Sequence, residues 1–215
     1  MTPEHASQLV AQVCALAPVV PVLVVDDADL AAPLARALVA GGLPALEVTL
    51  RTPAALDAIR EMAAVPGGVV GAGTLLTEAD VEAAKAAGAT FGVSPGFTRR
   101  LLDAAEASDL PLLPGAATPS EAMYLLQRGY AVQKFFPAEA NGGVGTLRAW
   151  AGPLPQVRFC PTGGVTPGNA RGYLACPNVL SIGGSWIAPP AAQRAGDWDG
   201  IARLAREAAA LRTPA

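Results

Sequence analysis

The chain is 215 residues long, carries a formal net charge of −3, and is 52% apolar with only 15% charged residues. That balance supplies a sizeable core and excludes a disordered chain, while the lack of any basic run, with the few aromatics scattered, excludes the footprint of a nucleic-acid binder. No run of about 18 uncharged apolar residues exists to cross a bilayer, and Met1-Thr-Pro-Glu-His-Ala has no basic region ahead of an apolar one, so no membrane association and a cytoplasmic location are expected.

In chain order, an extra helix is predicted first, around residues 3–16. A cadence then repeats: a short β-branched run, a Gly or Pro, and an Ala/Leu-rich helical stretch. The predicted strands are 19–25, 45–50, 69–74, 90–94, 110–114, 131–136, 157–160 and 179–182. The predicted helices are 29–40, 53–64, 78–87, 99–107, 120–128, 145–150, 167–174 and 198–211. Thr77 ahead of Glu78 and Asp80 reads as a helix N-cap, and Gly41-Gly42, Gly88 and Gly129 read as helix stops. The strands are continuously apolar rather than alternating, as in a parallel sheet covered on both faces. Eight β/α units at this length predict an α/β fold, a single-domain (β/α)8 TIM barrel over 1–215 with an extra N-terminal helix. An open doubly wound sheet would carry a Gly-rich loop after its first strand, where this chain has Val25-Asp-Asp27. Residues 137–143 and 188–196 are the longest irregular pieces, and long loops in a compact fold are often functional.

Cys14, Cys160 and Cys176 are far apart and show no C-x-x-C spacing, so they read as reduced, mostly buried thiols rather than a disulfide framework or a zinc site. His5 is the only histidine and falls in the first helix, which leaves no basis for a multi-histidine zinc centre or a Ser-His-Asp set. P-loop and Gly-x-Gly-x-x-Gly patterns are also missing. No metal and no cofactor is expected.

Lysine usage is the sharpest signal. Against thirteen arginines there are two lysines, Lys85 on a polar helix face and Lys134 inside the apolar sixth strand, Ala131-Val-Gln-Lys-Phe-Phe136. An ammonium buried in a parallel strand loses hydration, and desolvation favours the neutral, nucleophilic amine able to attack a ketone. The competing role is a structural ion pair. Glu47 is the only acid of the second strand, placed either to move protons near Lys134 or simply to pair with Lys134 or Arg51. Because strand residues alternate, Glu47, Thr49 and Arg51 share one side, and Arg51 offers a planar fork to a carboxylate unless it merely opens the next helix. Thr74 and Pro95 sit at the mouths of the third and fourth strands, where turn chemistry alone would also put them.

Two glycine pairs end the seventh and eighth strands, in Cys160-Pro-Thr-Gly-Gly and Ile182-Gly-Gly-Ser. In (β/α)8 barrels these loops commonly bind phosphate, and glycines without side chains let backbone N–H groups approach the anion. Gly163, Gly164, Gly184 and Ser185 are therefore phosphate candidates, as they would be in many phosphate-binding barrels of other function.

The string Lys134-Phe-Phe-Pro-Ala-Glu-Ala-Asn-Gly-Gly143 closely resembles the 2-keto-3-deoxy-6-phosphogluconate aldolase family, which also acts on 4-hydroxy-2-oxoglutarate. So do Leu46-Glu-Val-Thr-Leu-Arg51, Gly71-Ala-Gly-Thr74, Phe159-Cys-Pro-Thr-Gly-Gly164 and Ile182-Gly-Gly-Ser-Trp186. The resemblance runs along almost the whole chain. It implies a class I aldolase cleaving a phosphorylated keto acid to pyruvate and glyceraldehyde 3-phosphate, with Lys134 as the Schiff-base lysine and Glu47 as general acid/base. It further implies that Arg51, Thr74 and Pro95 contact the pyruvyl portion, that Phe136 packs beside the lysine, and that Thr162, Gly163, Gly164, Gly184 and Ser185 line the substrate chain and its phosphate. A homotrimer of barrels without metal is implied too. The alternatives are an aldolase for the galactonate epimer, a phosphosugar isomerase on the same barrel, or a barrel that binds phosphosugars without catalysis.

Overall fold

The computed structural model describes residues 1–211; residues 212–215 of the expected domain lie outside the described residues. The elements follow in order: α1 (Pro3–Ala15), β1 (Val19–Leu23), a 3-10 turn (Ala28–Leu30), α2 (Ala31–Ala40), β2 (Ala45–Thr49), α3 (Ala55–Ala63), β3 (Val69–Gly73), α4 (Glu78–Ala86), β4 (Phe91–Val93) and α5 (Arg99–Ala107). The second half continues β5 (Leu112–Leu113), β6 (Gly115–Ala116), α6 (Pro119–Gln127), β7 (Val132–Phe135), α7 (Gly143–Ala151), β8 (Arg158–Pro161), α8 (Ala170–Leu174), β9 (Ile182–Gly184), α9 (Pro190–Ala195) and α10 (Trp198–Ala209).

All strand pairs are parallel. They form a curled six-stranded sheet in the order β5-β4-β3-β2-β1-β9 and a three-stranded sheet β6-β7-β8. Of the fifth predicted strand, 110–114, only β5 falls within the predicted bounds, and pairing resumes past them as β6. Pro114 lies between them and lacks the N–H that a ladder needs. The predicted eighth strand, 179–182, is shifted to β9, because Val179 reaches β8 only through an isolated bridge to Phe159 while Ile182 to Gly184 pair along β1. A second isolated bridge joins Thr162 to Gly183. The stretch expected to be irregular at 188–196 contains α9.

Local chemistry explains the helix ends. Thr77 and Asp80 form a reciprocal capping box on α4, and Thr118 with Glu121 makes the same box on α6. Gly88 closes the α4 segment at φ +96°, a conformation open to glycine at no steric cost. One buried apolar cluster extends from Ala6 to Ala208 and fills the space between sheet and helices. Close approach depends on small residues: a Cβ on Gly41 would stand 2.3 Å from Cβ of Ala205, where α10 packs on α2. A second cluster lies inside the curl, where Val10 and Cys14 of α1 meet Phe91, Val93, Leu113, Val132 and Cys160. Helix α1 therefore plugs the amino-terminal end of the sheet, and Ser7 Oγ accepts from the Val132 N–H at 3.3 Å to fix it there. Among the described residues no helix is long and apolar enough to cross a membrane.

Candidate active site

Lys134 and Glu47 belong to different sheets, β7 and β2, and meet across the interior. Lys134 Nζ donates to Glu47 Oε1 at 3.2 Å with both side chains buried, at 6% and 4% exposure. In register, Lys134 lies between Gly115 and Cys160, and Glu47 lies between Val22 and Gly71. Burying two charges is costly, and the cost is offset only when they are paired. The lysine is thus an ion-paired interior lysine, as the structural reading required, and it also borders a cavity of about 180 Å³ at the carboxyl ends of the strands.

Of the sequence candidates, Lys134, Glu47, Arg51, Thr74, Pro95 and Phe136 all border this one cavity, and so do Thr162, Gly163, Gly164 and Ser185. Glu47 and Thr49 share one side of β2, and Arg51, in the turn just past the strand, donates from Nε to Thr49 Oγ1 at 3.4 Å. The Lys134 ammonium stands 5.2 Å from the centroid of the Phe136 ring. Thr74 holds φ +63°, a left-handed conformation that a β-branched residue adopts only under constraint and that is concentrated at functional sites. Gly184 does not border the cavity. An added Cβ there would lie 2.3 Å from the ring of Trp186, just past β9, while its neighbour Gly183 borders the cavity. Val22, Thr49, Val165 and Gly183 complete the lining; of these, the second glycine pair signals Gly183 only up to the phase of its strand.

The glycines around the cavity make room for specific polar groups. A Cβ on Gly73 would fall 2.3 Å from Glu47 Oε1, and one on Gly183 would fall 2.2 Å from Thr162 Oγ1. In the loop after β8, Gly163 and Gly164 take φ +100° and +79°. The carbonyls of Thr162 and Gly163 are engaged from behind by the N–H groups of Ala138 and Glu139 at 2.8 and 3.0 Å. Among the described residues, the N–H groups of Gly163, Gly164 and Val165 have no acceptor. Successive free N–H groups in a tight turn form an anion-binding concavity.

Two further groups are perturbed near this shell. The Tyr173 phenol, which donates to the Glu139 carboxylate, is raised above its ordinary range by burial and by that carboxylate. The Cys14 thiol beneath the site is raised by its hydrogen bond with Cys160 and by burial. All three cysteines are free and buried. Among the described residues there is no group of three or more His, Cys, Asp or Glu side chains placed to hold a metal ion.

The site is thus a paired lysine and glutamate under a glycine-lined mouth of a parallel α/β sheet. The chain belongs to the KDPG and KHG aldolase family, whose pattern matches residues 10–204. It is 56% identical over 192 residues to the KHG/KDPG aldolase of Escherichia coli K12, covering 89% of this chain and 90% of that one. The crystal structure of the 2-keto-3-deoxy-6-phosphogluconate aldolase of Zymomonas mobilis ZM4 with 3-phosphoglycerate is similar at a TM-score of 0.89 and 50% identity, over 94% of this chain and 95% of that one. The KDPG aldolase of Legionella pneumophila, with pyruvate captured as a covalent carbinolamine intermediate, superposes at a TM-score of 0.90 with 46% identity, over 93% and 97%.

Proposed function

We propose that this protein is a class I aldolase that cleaves 2-keto-3-deoxy-6-phosphogluconate to pyruvate and glyceraldehyde 3-phosphate, with activity on 4-hydroxy-2-oxoglutarate as well. The buried Lys134–Glu47 pair at the foot of the cavity carries the reading, and the family membership and the carbinolamine seen in the Legionella relative support it.

In this mechanism Glu47 takes a proton from Lys134, and the neutral amine attacks the C2 ketone while Arg51 holds the substrate carboxylate. The carbinolamine loses its hydroxyl as water, with the proton supplied by Glu47, to leave a protonated imine. Glu47 then removes the C4 hydroxyl proton, and the C3–C4 bonding electrons flow into the imine as glyceraldehyde 3-phosphate departs. Protonation of the enamine at C3 and addition of water to the imine release pyruvate and restore Lys134. Thr74 and Pro95 flank the pyruvyl portion, and Phe136 packs beside the lysine. Thr162 faces the substrate chain, and Gly163, Gly164 and Ser185, with Gly184 behind them, serve its phosphate. The chemistry needs neither metal nor cofactor.

The same proposal covers the architecture. The six- and three-stranded sheets, consecutive through β5 and β6 and bridged between β8 and β9, act as one closed (β/α)8 barrel and one domain, supported by the continuous cluster from Ala6 to Ala208. The protein works in the cytoplasm as a homotrimer, without nucleic-acid or membrane partners; a stable monomer in light scattering would refute the trimer. The central test is borohydride trapping with pyruvate followed by peptide mapping. A pyruvyl adduct on Lys134 is expected. A folded protein that forms no adduct would overturn the aldolase reading in favour of a phosphosugar isomerase or binding barrel.

A further inference from the structure

We propose that Asn169 is a positioning residue for the anion-binding loop, holding the Gly164 peptide so that its N–H side and not its carbonyl is presented to the phosphate. The proposal rests on the reading of that loop as the phosphate site. Asn169 lies at the start of α8, outside the cavity lining, and its amide spans the loop: Nδ2 donates to the Gly164 carbonyl at 3.1 Å, and Oδ1 accepts from the Thr166 N–H at 2.7 Å. With the Ala138 and Glu139 N–H groups on the carbonyls of Thr162 and Gly163, three consecutive carbonyls are tied away from the cavity. The N–H groups that follow, on Gly163, Gly164 and Val165, are the ones left open.

The physical need is specific to this loop. Gly163 and Gly164 lack the side chains that restrict backbone rotation, so their peptide planes have low intrinsic barriers to reorientation. Two of the three carbonyls are fixed by backbone donors, which side-chain substitutions other than proline leave in place. The third depends on one side chain. A Gly164 carbonyl turned inward would aim the negative end of a peptide dipole at a dianion and would withdraw one N–H from it.

The test compares two substrates in the intact enzyme. With Asn169→Ala, KM for the phosphorylated keto acid and the inhibition constant for inorganic phosphate are both expected to rise about tenfold, the scale of one hydrogen bond to a charged group. The turnover number and the cleavage of 4-hydroxy-2-oxoglutarate, which has no phosphate, should stay at wild-type levels. Asn169→Asp keeps the acceptor for Thr166 but cannot donate to Gly164 when ionised, so it should show the same selective shift and serves as the test if the alanine variant fails to fold. Wild-type KM in Asn169→Asp, or equal losses on both substrates, would overturn the assignment while leaving the aldolase reading intact. A wild-type enzyme that shows neither inhibition by phosphate nor any preference for the phosphorylated substrate would remove the phosphate-site reading and this proposal together.

Discussion

The two ends of the sheet interior are built from the same strands and do opposite things. At the amino-terminal end α1 closes an apolar floor of Val10, Cys14, Phe91, Val93, Leu113, Val132 and Cys160. At the carboxyl end the interior holds a buried ion pair, the threonines Thr49, Thr74 and Thr162, and a row of glycines around an open cavity. The change takes two residues: Val132 is floor and Lys134 is mouth on β7, and Cys160 is floor while Thr162, just past the end of β8, is mouth. Apolar burial at one end stabilises the fold, and the other end retains a pair of charges whose desolvation works against it. Stability and chemistry are therefore separable along the strand axis, and substitutions at the two ends should report on different quantities.

The largest effect expected at the mouth is from Lys134→Ala, which should reduce turnover to background and abolish borohydride trapping of pyruvate. Leaving Glu47 buried without its partner should also destabilise the protein by about 3–5 kcal/mol in urea unfolding; near-normal activity in a folded variant would end the Schiff-base assignment. Glu47→Gln should retain substrate binding while slowing cleavage by about a hundredfold or more in single-turnover kinetics. A smaller loss tests the glycine next to it. Gly73→Ala would drive a methyl group to within 2.3 Å of Glu47 Oε1, and displacing that carboxylate by about 1 Å should lower kcat by on the order of tenfold to a hundredfold; unchanged kcat would mean that the carboxylate position seen here is not the working one.

The floor should answer differently. Val10→Ala should cost about 1–3 kcal/mol in denaturant unfolding with kcat and KM unchanged, and a catalytic defect there would break the separation of the two ends. The mildest expectation concerns Cys14. Its hydrogen bond with Cys160 and its burial keep the thiol in the protonated, unreactive form beyond the ordinary thiol range, so a thiol-reactive dye at pH 8 should leave it unlabelled in the native protein and label it on unfolding. Rapid native labelling would show that α1 opens readily and that the floor is not a fixed plug.

Much of this molecule was determined by its sequence alone. Periodicity and punctuation locate the strands and helices because an apolar run flanked by Gly or Pro has few other uses, and the capping box at Thr77 is purely local chemistry. Lys134 and Glu47 stood out because charge in a buried strand is expensive wherever the chain goes next. The tertiary structure decided what depends on the phase of a strand and on neighbours distant in the chain. Pro114 splits the fifth strand, because a missing N–H matters only when a neighbouring strand calls for it. The inward choice of Gly183 over Gly184 rests on how β9 registers against β1. The meeting of Lys134 with Glu47 links positions 87 apart in sequence, and the grip of Asn169 on Gly164 depends on the path of the loop between them. Strand phase and long-range contact are set by packing, and packing is where local sequence signals lose their information.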